Sequence, residues 1–300
     1  GWAAIDDDRS IPDVRDDGAT LRTDLDGFRR RWTYLGTDPI ESVVVNAAIA
    51  GLVRSSIGDL NDVLTVRERD TTTALDVAEA DERLTSARGE LRDAAHLLDR
   101  LRGRDGTQDR RKVLATAADA LTDRMADRRA SAGLEEGPFT AEADREAMPA
   151  ERALRDLRDD VRRDDARDPS ETGAFPQAIV GAHRTLAQIG AVEMLRSRVD
   201  AEEAVDPTSV EDVDTIRTRA RNAIVEAHSK GEYPRLDRLQ THRLAAVLRY
   251  VDERLARVDA DDEVALSRLD WEFRDLARTE AVARSVNDAS ATVAEALEYD

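Results

Sequence analysis

From Val77 to Leu101 the apolar side chains alternate intervals of three and four residues without a miss: Val77, Ala80, Leu84, Ala87, Leu91, Ala94, Leu98 and Leu101. This heptad spacing puts one continuous apolar seam on one side of a helix, and a seam is buried by packing against another helix. Ala takes every second or third place where Leu would otherwise stand, so the partner axis is expected to lie close and antiparallel. No Pro interrupts the chain from Ile40 to Arg102, which predicts a long helix or coiled-coil arm over about 40–102. The stretch "RERDTTT" at Arg67 to Thr73 breaks the pattern and marks an expected kink or change of register.

The rest of the sequence speaks the same grammar. Apolar residues recur at three and four, and no run alternates at period two with Val, Ile, Thr and aromatics. Breaks fall at Pro and Gly: Gly36 to Pro39, Gly103 to Gly106, Gly133 to Pro138, Pro169 to Pro176, Asp206-Pro207 and Gly231 to Pro234, with a further break at Asp259 to Asp262. The expectation is all-α: a multi-helix bundle of about eight helices with a long helical arm. Its first helix runs from about Asp13 to Leu35, and Asp38 followed by Pro39 suits the start of the next. The polar stretch 131–175 offers a boundary between an N-terminal helical half, 1–135, and a C-terminal half, 136–300, unless the chain forms one continuous domain. Phe28 and Trp32 near one end and Trp271 and Phe273 near the other are expected to bring scarce aromatics to the core.

One stretch is greasy on all sides: "SVVVNAAIAGLV", Ser42 to Val53. Extended back to Pro39 it reaches about 15 residues, short of the roughly 20 that a bilayer core requires, so no membrane span is expected there. Val44, Ala47, Ala48 and Gly51 form a small-residue face on which two helix backbones can approach closely. The natural mate is the similar run around Gly181, Ala187 and Gly190, which predicts that 42–53 packs on about 178–195 at the bundle's centre. If 42–53 is exposed instead, it becomes the surface through which the chain associates.

Charge narrows the environment. The chain carries 41 Asp, 23 Glu, 43 Arg and two Lys, a formal net charge of −19, and no Cys. Asp over Glu and Arg over Lys on a densely acidic surface is the composition expected of a halophilic archaeal protein, with solvent salt ions as its constant partners. At about 1 M salt the Debye length falls to about 3 Å, so self-repulsion is screened while the carboxylates stay hydrated. Without Cys there is no disulfide, thiolate metal site or Cys nucleophile. A start at Gly1-Trp2 points toward a processed or trimmed envelope ectodomain, whereas the lack of an Asn-x-Ser/Thr sequon points the other way.

The common catalytic grammars are missing: no phosphate-cradling Gly loop, no nucleophile elbow, no His-Glu-x-x-His. His96, His183, His228 and His242 are scattered, and Asp93-x-x-His96 is the nearest approach to a helical metal motif. The acidic clusters at Asp6 to Asp8, Arg158 to Asp168 and Asp259 to Glu263 lack the spacing of a Ca²⁺ loop. No cofactor or metal is therefore expected. "FRRRW" at Phe28 to Trp32 and "DRRK" at Asp109 to Lys112 are the only places resembling a nucleic-acid patch, and phosphate contacts weaken steeply in molar salt.

Three functions follow, in order of preference. The first is a non-enzymatic structural or protein-interaction module, with self or another protein as partner through its helical seams. The second is a helical ligand-binding or enzyme domain whose inter-helix polar site uses His183, Gln188 or Glu193. The third is a nucleic-acid-associated coiled-coil protein.

Overall fold

The computed structural model describes residues 10–66, 73–134, 149–163, 174–201, 210–257 and 269–298. Among these the chain is all-α: nine helices and a single two-residue strand pair. Two compact units divide it, Gly1–Arg111 and Lys112–Asp300. The division lies ahead of the polar 131–175 stretch, because Pro and Gly density marks loops but not which helices share a core.

The first unit holds α1 (Ile11–Arg31), β1 (Leu35–Gly36), α2 (Pro39–Thr65), α3 (Ala74–Arg102) and β2 (Gln108–Asp109). Each helix start is written locally. Ser10 and Asp13 form a capping box on α1, Asp38 accepts from the Glu41 N–H at 2.7 Å on α2, and Thr73 and Asp76 cap α3 reciprocally. The Thr73 box corrects the expected single helix over 40–102. There α2 ends at Thr65, Val66 leaves helical backbone, and α3 begins afresh at Ala74; most of the "RERDTTT" segment, 67–72, lies outside the described residues.

Instead of an arm, α2 and α3 form an antiparallel hairpin. Asp62 pairs with Arg83 at 2.9 Å and Ser56 donates to the Ala87 carbonyl at 2.9 Å, so later residues on α2 meet earlier ones on α3. One apolar cluster gathers Ile11, Val14 and Leu21 of α1 with Leu60, Val63, Ala80 and Leu84. A second gathers Phe28, Ile49, Val53, Ala94 and Leu98. The short pairing of β1 with β2, Leu35 with Asp109 and Gly36 with Gln108, was not foreseen, since two residues show no period. At Gly36 an added Cβ would stand 2.7 Å from Ser42 Cβ and 2.8 Å from its N, so only Gly fits where the loop folds back on α2.

By length and composition α2 is the one described helix able to cross a bilayer, its 27 residues exceeding the expected apolar run. Its buried polar residues are nonetheless satisfied inside the unit. Asn46, fully buried, donates to the Leu35 carbonyl at 2.9 Å and the Ser42 carbonyl at 2.8 Å, and accepts from Trp32 Nε1 at 3.0 Å. Glu41 accepts from Thr37 N at 2.9 Å and Arg104 Nη1 at 2.5 Å. These contacts lock the α1–α2 connection. Asn46→Leu strands the Trp32 N–H and the Leu35 carbonyl, and is expected to lower the stability of the first unit by about 2 kcal/mol. Denaturant unfolding followed by Trp fluorescence measures it, and a variant as stable as wild type refutes the assignment.

The second unit holds α4 (Arg111–Ser131), α5 (Pro149–Arg163), α6 (Phe175–Asp200), α7 (Val210–Lys230), α8 (Pro234–Leu255) and α9 (Asp270–Glu298). Its axis is α9, which packs against α5, α6, α7 and α8. Ala281, Val282, Ala283, Val286, Ala289, Val293 and Ala294 are buried over most of its circumference, and over that stretch only the side of Arg284, Asp288 and Glu295 is exposed. The expected stripe of α5, Leu154, Leu157 and Val161, is buried too. Arg124 of α4 donates to the Thr292 carbonyl at 2.9 Å, holding α4 to α9.

Two expectations change here. The mate of 42–53 is α3 within the first unit, while the 178–195 run packs on α9 and α5 within the second. Hydropathy marks a helix as buried without saying by which neighbour. The terminal aromatics do not share one core either: Phe28 is buried in the first unit and Phe273 in the second, while Trp271 is 62% exposed, stacked under the Arg274 guanidinium at 4.0 Å.

Candidate functional site

The small-residue face proposed for α2 does not coincide with the face that α2 buries. Val43, Asn46, Ile49, Ala50 and Val53 point into the first unit; Val44 and Ala47 are half-buried, and Ala48 and Gly51 are exposed, with open space where a Gly51 Cβ would be. On α3, Leu84, Ala87, Ala94 and Leu98 are buried and Leu91 half-buried, all along the hairpin seam. On α6, Ala187 is buried and Gly181 faces open space. Gly190 alone makes the expected close approach: its Cβ would meet Ser285 Oγ at 2.9 Å and Cβ at 3.0 Å, so α6 and α9 touch there because Gly lacks a side chain. The result is an uncharged outer stripe on α2, Val44, Ala48, Gly51 and Ser55, beside a fully used inner one.

The second unit concentrates its buried chemistry around α9. His183 of α6, without exposed surface, makes a 2.9 Å hydrogen bond through Nε2 with Ser290 Oγ, and Ser290 donates to Asp237 Oδ1 of α8 at 2.6 Å. In the amide orientation that satisfies both its groups, Asn287 donates to Asp237 Oδ1 at 3.2 Å and to the Ala227 carbonyl at 3.0 Å. Burial drives the His183 pKa down to about 4, with a small opposing pull from the Val286 backbone. Burial likewise raises the Asp237 pKa, against the hydrogen bond from Ser290 and the charge of His228. The set ties α6, α8 and α9 together in the core, and His183 lines neither of the two larger clefts of this unit.

One turn pair away, Glu280 is 2% exposed and receives three arginines: Arg198 of α6, Arg219 of α7 and Arg284 of α9 itself, each at 3.1 Å. Burial alone would raise its pKa, but Arg198 and Arg219 hold it below the usual carboxylate range. Glu272, 3% exposed, pairs similarly with Arg254 at 2.5 Å. Both acids are helix-spanning ties.

Two clefts flank α9. One, of about 530 Å³, is lined by Glu193, Gly190, Arg128 and Arg284 among others, and Glu193 is already paired with Arg128 at 3.0 Å. The other, of about 610 Å³, opens between α6, α8 and α9 beside Asp160 of α5, and contains Gln188. Gln240 of α8 and Thr279 of α9, which sequence reasoning passed over, share its lining with Gln188, and all three are buried. A signal for Gln240 was present: it stands between Leu236 and Leu244 on the buried stripe of α8, where an apolar residue is expected. Among the described residues no group of three or more His, Asp or Glu is arranged to hold a metal ion. The acidic clusters at 6–8 and 259–263, and 164–168 of the third, lie outside the described residues.

Residues 111–295 match the family described as "Domain of unknown function (DUF8264)", and residues 1–109 match "Domain of unknown function (DUF8262)". The two matches meet where the two compact units meet. No curated protein and no solved structure matches the chain.

Proposed function

The chain belongs to the DUF8264 family, and we propose that it is a non-enzymatic protein-interaction module of a halophilic cell, self-associating through the outer face of α2. The observation that carries this reading is the charge-free stripe of exposed Ala48, Gly51 and Ser55 with half-buried Val44 at its end, on a helix whose opposite face is already buried. Small side chains let a second helix approach closely there, and no charge must be desolvated when it does. A second copy of the chain presents the same stripe, so the contact is self-complementary about a two-fold axis. Two chains of net charge −19 repel one another in dilute buffer. In molar salt that repulsion is screened within a few ångströms, so association is expected to strengthen as salt rises, the reverse of an ion-pair or nucleic-acid contact.

Sedimentation velocity in molar KCl tests this directly. Wild type is expected to run as a dimer that loosens on dilution into low salt, and Ala48→Arg, at an exposed helical position that tolerates Arg, as a folded monomer. A wild-type monomer at high concentration in molar KCl, or a dimer untouched by Ala48→Arg, overturns the proposal.

A further inference from the structure

Asp237 of α8 differs from the other buried acids of the second unit. Glu280 meets three arginines and Glu272 meets Arg254. Asp237 has no exposed surface and pairs with no Arg or Lys among the described residues. Its Oδ1 has two neutral neighbours on α9, Ser290 Oγ at 2.6 Å and the Asn287 amide at 3.2 Å. Its Oδ2 has no hydrogen-bond partner and lies against Gly231 in the α7–α8 turn, where an added Cβ would overlap it. The titratable side chains that face it are His183 of α6, beyond Ser290, and His228 of α7. Lys230 of α7 is paired with Glu226, and Arg235 and Arg238 of α8 and Asp288 of α9 are exposed. A buried carboxylate with no cation and one bare oxygen is costly, and the ordinary escape is to take up a proton.

The hydrogens of this chain point the same way. Two bonds, Asp237 Oδ1 to Ser290 Oγ and Ser290 Oγ to His183 Nε2 at 2.9 Å, share the single Ser290 hydrogen, so a second hydrogen comes from one end. Drawn from His183, it leaves Nδ1 a buried bare acceptor for which the described residues offer no donor, beside an unpaired anion. Drawn from Asp237, it leaves the hydrogen of His183 on Nδ1, no charge anywhere in the chain, and a ring onto which the Val286 backbone draws a proton.

We propose that Asp237 holds a proton at about pH 6, where an ordinary carboxyl is ionised, and that this proton latches the α7–α8 turn onto the core. In this state Asp237 donates to Ser290 Oγ and Ser290 donates to His183 Nε2, the reverse of their sense with an ionised acid. Burial, which raises the Asp237 pKa, acts in the same direction. As pH rises the proton leaves to solvent, the carboxylate needs water at Oδ2, and water reaches it when the turn at Gly231 lifts. The stabilisation is therefore present at low pH and lost as pH rises through the raised folded value. The latch is independent of association through α2.

Carbon-13 NMR of the full chain in molar KCl, labelled at the Asp carboxyl carbons, tests it together with amide hydrogen exchange. At about pH 6 one resonance is expected at the protonated-acid position, absent from Asp237→Asn and moving to the carboxylate position as pH rises. Over that interval the Leu236 amide, bonded to the Tyr233 carbonyl at 2.9 Å, should exchange about tenfold faster in wild type after correction for intrinsic rate, and stay level in Asp237→Asn. The proposal is overturned if every Asp carbon is at the carboxylate position, if each protonated signal persists in Asp237→Asn, or if Leu236 exchange follows one profile in both proteins. Should Asp237→Asn fail to fold, Ser290→Ala decides: it should shift the protonated resonance, and an unmoved one overturns the proposal.

Discussion

Glu280→Ala is expected to lower the stability of the second unit by about 4 kcal/mol, because it leaves three guanidinium groups facing a buried, empty carboxylate position. The magnitude comes from geometry rather than from counting ion pairs. Glu280 is 2% exposed, so its charge is removed from water, while Arg198, Arg219 and Arg284 reach it from three directions on α6, α7 and α9. Losing the acid therefore exchanges mutual attraction for mutual repulsion and leaves donors without acceptors. The pair Arg124–Glu295 serves as contrast: Glu295 is 66% exposed, and Glu295→Ala should cost less than about 1 kcal/mol. Denaturant titration of both variants in molar KCl measures the difference. Equal, small effects would refute the role given to Glu280. Its lowered pKa means this stabilisation is complete at neutral pH and is lost only as pH falls through that lowered value, in the acid range below an ordinary Glu.

A second large effect belongs to His183, in a different pH window. Unfolded, the imidazole takes a proton near pH 6.5; folded, burial holds it neutral down to about 4. Between those values the unfolded chain binds the extra proton, so stability rises with pH and the contribution is full only above about 6.5. At about 1.4 kcal/mol per pH unit, acidification from 6.5 to 4 should remove about 3 kcal/mol. Asp237 works in the opposite sense, since its raised pKa lets it accept a proton in the folded state first. The comparison that isolates His183 is His183→Gln, which keeps a polar atom for Ser290 but does not titrate. Its unfolding midpoint should be nearly level between pH 6.5 and 4.5, where that of wild type falls. Parallel pH profiles would show that His183 does not set the slope.

How far the sequence reaches differs from element to element. The helix class followed from periodicity, and helix ends followed wherever a cap residue was read, as at Asp38 before Pro39. The interruption at 67–73 reads as a kink or change of register rather than as a helix end, although Thr73 and Asp76 form a capping box there, because the helical period continues on both sides of it. Gln188 stands out in sequence as a polar residue on a greasy helix, whereas Gln240 and Thr279 do not, since each sits on another helix and nothing in linear order brings them together. Glu280, one of 64 acids, is indistinguishable in sequence from its solvated neighbours; only the convergence of three arginines sets it apart.

Legible in the sequence were the local and the statistical: helical period, caps, and an acidic, Arg-rich, Cys-free composition. These depend on residues within a turn of one another, or on sums over the whole chain. What only the tertiary structure decided was pairing. Hydropathy puts 42–53 at the centre of the bundle, yet the most extensively buried helix of the second unit is α9, which carries buried Glu272 and Glu280 among its Ala, Val and Ser. A charged residue reads as surface until its partners arrive from other helices, and an apolar one reads as core until its outer face is left uncovered. Period fixes which residues share a face. Which face meets which depends on packing between elements far apart in the chain, and that assigns α2 its exposed stripe and the second unit its polar cleft.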